Sequence, residues 1–252
     1  MDLWLLTAGF GIMPVAALLL LFLEKRIRER IAIAWAVLAG TVAFLGIAHT
    51  SATILDLDAH FVAGPAASAA TMALGVVGGL GLGWILLGRG RSAGTPLGVA
   101  WAAVVFLGLH SFGDGLVLGE PFAGPLPVGW ELTPLNVSAT FLHRFAEGAI
   151  LVVPALIAAW RPPKMAGLLL AGLLTVPAAV VPVILYGPGV SLAAVAADQT
   201  VGMLLSSVET GFAIPFLLLG LLPRIGIQKD SRWALAAGLA FLAMFLVHFA
   251  VE

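Results

Sequence analysis

Two short segments of this chain hold donor atoms at the spacing of a metal site. His110-Ser111-Phe112-Gly113-Asp114-Gly115 and His143-Arg144-Phe145-Ala146-Glu147-Gly148 share one pattern: a histidine, a carboxylate four residues later, then glycine. On a helix, positions i and i+4 lie one turn apart on one face, so each segment presents an imidazole beside a carboxylate. If the segments run antiparallel, His110 comes level with Glu147 and Asp114 with His143, and four donors converge. Two nitrogens and two oxygens suit zinc first, with iron(II), manganese(II) and cadmium as further candidates; copper(I) prefers softer ligands, and magnesium or calcium an oxygen cage. The competing reading is a set of buried His–carboxylate pairs that hold helices together or relay protons. The chain has no cysteine, so thiolate sites and disulfides are excluded.

The elements that carry these segments belong to a bilayer. Of the 252 residues, 61% are hydrophobic and 10% charged, against about 25% charged in a soluble domain, and the mean hydropathy is +1.11. Apolar runs cover 3–23, 31–55, 65–87, 97–119, 136–160, 165–186, 199–222 and 233–250. Each is long enough to cross a hydrocarbon core of about 30 Å as a helix. The expected fold is an all-α integral membrane protein, a bundle of eight transmembrane helices forming one transporter-sized domain over 1–252. Asp2, where a signal peptide would have a basic region, marks the first run as a retained span. The two metal-site segments fall on spans four and five, and the glycine after each acid lets the backbones approach closely. With a rise of about 1.5 Å per residue, the four donors lie roughly 7–16 Å below the outer boundary.

The basic residues set the orientation. Lys25, Arg26, Arg28 and Arg30 follow span one, Arg89 and Arg91 span three, Arg161 and Lys164 span five, and Arg224, Lys229 and Arg232 span seven. Such residues collect in cytoplasmic loops, which places both termini outside and suits the cell (plasma) membrane. The opposite face carries Asp2, Asp56, Asp58, Glu120, Glu131, Asp198 and Glu252, an acidic field that concentrates cations. A net charge of −1 gives no basis for a nucleic-acid partner. The expected partners are the bilayer and a metal ion, with a homodimer among the assemblies open to the chain.

Other intramembrane polar residues extend the candidate site. Arg144, the one basic residue inside a span, either sits beside the centre or reaches toward headgroups. Glu209 in span seven lies at a similar depth; a salt bridge to Arg144, an added ligand or proton acceptor, and a structural carboxylate are its alternatives. His49 in span two lies on a route to the site or is hydrogen-bonded within the bundle. Asp56, Asp58 and His60 form a solvated outer loop, while His248 and Glu252 share a face near the outer end of span eight and read as surface residues. Pro154, Pro177, Pro182 and Pro215 bend their helices. The inner halves of spans four and five, 99–107 and 151–158, are apolar with no ladder of ligands, which favours alternating access over an open pore.

The two segments resemble the signatures of the fourth and fifth helices in the ZIP (zinc- and iron-regulated transporter-like) family, usually His-Asn-x-x-Asp-Gly and His-Glu-x-x-Glu-Gly. Eight spans with outside termini are also similar to that family, so the resemblance covers essentially the whole chain. It implies uptake of a divalent metal toward the cytoplasm, with His110, Asp114, His143 and Glu147 as the primary site and His49 similar to a histidine common near the outer end of the second helix. Three positions depart: Ser111 stands for the usual Asn, Arg144 for Glu, and Thr175-Val176-Pro177 where many members resemble Ala-Glu-Pro. Each removes an oxygen ligand associated with a second metal, and a guanidinium cannot be deprotonated. The expectation is a mononuclear centre with Arg144 supplying the charge of the absent second ion. The short 89–94 connection, where many members have a longer histidine-rich loop, argues against cytoplasmic metal sensing through it. An intramembrane metal-dependent hydrolase with Glu209 as base, and a non-transporting sensor built on the same fold, are the alternatives.

Overall fold

The computed structural model describes residues 22–89, 95–123, 134–159, 192–226 and 232–249, with backbone alone for 114–123, 134–141, 192, 194 and 249. Its secondary structure there is entirely helical. After a short basic helix α1 (Glu24–Glu29), one long span consists of α2 (Ile31–Ala43), a π-helical turn (Phe44–His49) and α3 (Thr50–Ala59). Then come α4 (Pro65–Gly88), α5 (Pro96–Ala123), α6 (Pro134–Ile157) and α7 (Leu192–Pro215). A second π-helical turn (Phe216–Leu221) and α8 (Leu222–Ile225) continue α7, and α9 (Arg232–Phe249) ends the series. Among the described residues, four helices are long and apolar enough to cross a membrane: Ile31–Ala59, Pro65–Gly88, Pro96–Gly113 and Val195–Ile225. The chain is thus membrane-embedded and all-α in the part described. The expected span at 165–186, with Pro177 and Pro182, and all but the last two residues of that at 3–23, lie outside the described residues, as do both termini.

On the outer helices α4 and α9, large apolar side chains point outward, the reverse of a soluble helix. On α4, Leu74, Val77, Trp84 and Ile85 are exposed, and on α9 so are Leu235, Leu239, Leu242 and Leu246. Buried on α4 are Gly75, Gly79 and Gly83, spaced by four. These face α7: a Cβ on Gly79 would run into the carbonyl oxygen of Val208, and one on Gly211 into that of Val76. Lipid is as apolar as leucine, so such helices associate by close backbone packing instead of by expelling water. Pro65, following Gly64 at φ 89°, opens α4 where a missing N–H costs nothing.

Polar contacts fix the ends. At the end that carries the 60–64 connection, the Gln199 side chain accepts from Val62 N and donates to His60 O, both at 2.8 Å, and Ser68 donates to Asp58. Asp198, expected as an exposed outer charge, is instead 7% exposed, because it sits beside the Gln199 clamp at the start of α7. Nearer the middle, Thr50 and Thr210 hydroxyls share a hydrogen bond of 2.6 Å. At the basic end, Arg28 donates to the Leu156 carbonyl at 2.7 Å, a cation on the last turn of α6, and Arg224 lies over the Trp35 ring. Between the polar middle and this end, Val99, Ala103, Phe106, Leu107, Leu151, Val152 and Ala155 are buried in one cluster, an apolar stretch where the sequence predicts one.

Candidate metal centre

The i, i+4 relation on α6 is realised directly, with His143 Nε2 lying 2.7 Å from Glu147 Oε1. From α5, His110 Nε2 approaches His143 Nε2 at 3.4 Å and Glu147 Oε1 at 3.8 Å. These three atoms lie within 4.8 Å of one another. Donors on a tetrahedral ion with bonds of about 2.0–2.1 Å stand about 3.3 Å apart, so the triangle has the dimensions of one face of such a site. His110 and Glu147 are level across the helix pair, as the antiparallel argument predicts. The Asp114 side chain lies outside the described residues; its backbone continues α5 one turn beyond His110.

The groups behind the donors decide their orientation. Glu209 Oε1 on α7 lies 2.9 Å from His110 Nδ1. With Glu209 ionised, its oxygen accepts from Nδ1 and leaves the Nε2 lone pair of His110 facing His143 and Glu147; His143 Nε2, which donates to Glu147 when no ion is bound, would give up that proton to a metal. Histidine ligands of metals ordinarily have a carboxylate or carbonyl on the second ring nitrogen. The Phe106 ring lies parallel to His110 at 6.2 Å and floors the site on its apolar side. Among the roles expected of Glu209, the structure shows a contact with His110. Arg144 is 5% exposed, which excludes the headgroup reading, and its Nη1 donates to Glu147 Oε1 at 2.9 Å and Oε2 at 2.7 Å. Ser111 is fully buried, and its hydroxyl has no hydrogen-bond partner among the described residues.

Charge within the group favours a cation. Glu147 and Glu209 against Arg144, all three buried, leave one negative charge in excess when the imidazoles are neutral. Buried carboxylates are costly unless paired, and a bound cation would complete the pairing.

His49, at the end of the π-helical turn, has its ring 6.1 Å from that of His110, so it adjoins the centre. His248 corrects its surface assignment: its ring lies 4.0 Å from His49 and 4.9 Å from His143, because α9 packs against α2 and α6 and turns this face inward. The signal was present in the sequence, an ionisable residue within an apolar run, but proximity to Glu252 and the chain end masked it. His60 and Asp56 remain exposed. No protein-family model, no curated protein and no solved structure matches this chain.

Proposed function

We propose that this chain is a divergent ZIP-like transporter that moves a divalent metal ion, zinc foremost, toward the cytoplasm through a single-ion centre between α5 and α6. The observation that carries the reading is the convergence of His110 Nε2, His143 Nε2 and Glu147 Oε1 within 4.8 Å, with Glu209 holding the outer nitrogen of His110. Asp114 is the fourth ligand. Arg144 occupies the Glu147 oxygen that a second ion would use, which supports one metal per chain. The ion arrives from the acidic outer face and sheds water to the side chains. The buried apolar half below the centre blocks a continuous pore, so release requires helix movement. Because Glu209 is engaged in orienting His110, it is poorly placed as the base of a hydrolase, and the chain is read as no enzyme.

Flux into proteoliposomes tests this. Zinc should accumulate with the intact protein and fall at least about tenfold with His143→Ala, the order lost when a metal-site group is removed, and metal analysis should give one tightly held ion per chain. Iron(II), manganese(II) and cadmium flux in the same vesicles ranks the ions. A protein that binds zinc at this centre yet shows no flux of any of the four would remove transport and leave a sensor.

A further inference from the structure

Four of the chain's five histidines meet in one place, and only two of them belong to the donor group above. From His110, ring centroids step 5.6 Å to His143, 4.9 Å to His248, 4.0 Å to His49 and 6.1 Å back to His110. The imidazoles come from the first π-helical turn, α5, α6 and α9, and close a ring across four spans. Imidazoles on one tetrahedral zinc, with Zn–N of about 2.0–2.1 Å, have centroids roughly 5 Å apart, so neighbours around this ring are spaced to share or exchange an ion. Apolar side chains would fill the same volume without the cost of placing polar rings in a bilayer. The Phe44 ring stands 5.3 Å from His248 and 6.4 Å from His49 and walls the pair on one side. Exposure rises through the cluster, from 0% at Glu147 and 2% at His110 to 11% at His143, and His49 and His248 are half-buried.

We propose that His49 and His248 form a second coordination station for the cation, an imidazole pair on the more accessible side of the centre, with His143 common to both. This rests on the metal-centre reading of His110, His143 and Glu147. One His143 ring cannot serve two ions through the same nitrogen, and two divalent charges at this separation repel strongly. The stations are therefore alternative positions of one ion. With imidazole donors and no carboxylate among the described residues, the outer station neutralises none of the ion's charge and binds it more weakly than the centre. Nitrogen-only donors select zinc or cobalt(II) over manganese(II), so this station also filters by donor preference before the ion reaches Glu147.

The test uses the full chain in lipid nanodiscs, with zinc titrated calorimetrically and cobalt(II) absorption reporting the ligand field. Glu147→Gln removes the carboxylate of the centre and keeps all four histidines. It should still bind one zinc, about tenfold more weakly, and adding His248→Gln or His49→Gln should weaken binding by about tenfold again. Adding His60→Gln, which alters the exposed fifth histidine, should change nothing. Equal zinc affinity with and without His248, or no zinc binding at all in Glu147→Gln, overturns the station. Wild-type affinity in Glu147→Gln refutes the centre instead, and the His248 comparison still decides the station. If Glu147→Gln does not fold, His110→Gln opens the centre from the other helix and takes its place in the same series.

Discussion

Glu209 touches no proposed ion, yet it fixes which nitrogen of His110 is available to one. In Glu209→Gln the amide oxygen still accepts from Nδ1, but the charge that holds the ring is gone. Zinc affinity is expected to fall about 10- to 100-fold while the unfolding temperature changes little; a titration indistinguishable from wild type would take Glu209 out of the centre. The His143–Glu147 pair was readable from sequence because the i, i+4 rule is local and needs no knowledge of the partner helix. The contact of Glu209 with His110 was not, since depth alone pointed to Arg144 and the rotation of α7 about its axis is what brings Glu209 to His110. The same holds for His248, whose neighbours His49 and His143 are brought to it by packing between spans far apart in sequence.

At the scale of elements, helix positions followed from apolar length: six of the expected runs coincide with described helices to within a few residues, apart from α7, which begins seven residues earlier, and four of these helices are long and apolar enough to cross a membrane. The π-helical turns did not follow, because their residues have the same composition as the α-helical turns beside them. The α4–α7 contact offers the sharpest test. Gly79→Leu would drive a side chain into the Val208 carbonyl and is expected to destabilise the protein by about 1–3 kcal/mol or more. Gly78→Leu, at a position with open space around it, should be tolerated. Thermal unfolding of the two variants side by side makes the comparison, and equal melting would mean that the glycine stripe does not set the approach of these helices.

For the whole molecule, orientation rests on the separation of basic and acidic loops, and the absence of cysteine makes it directly measurable. In intact cells, a membrane-impermeant maleimide should label Asp56→Cys and spare Lys25→Cys and Arg89→Cys until the membrane is opened; the reverse pattern would invert the proposed direction of transport. Metal occupancy should also fall as pH is lowered, because protons compete for the lone pairs of His110 and His143 and for the carboxylates.

The π-helical turn at Phe44–His49 bears on how this chain tolerates change in length. On its far side, three residues of α3 and beyond are already committed: Thr50 to Thr210, and the 60–62 connection to Gln199. Deleting one residue from 44–48 would close the wide turn to an ordinary one and leave the helix on either side facing as before, because the wide turn holds one residue more than an α-turn. The same deletion within 31–43, at 3.6 residues per turn, would rotate everything on one side by about 100°. There, either the buried face of α2 would turn away or the threonine and glutamine clamps would lose register, so the wide turn is the place in this span where a change of length is absorbed.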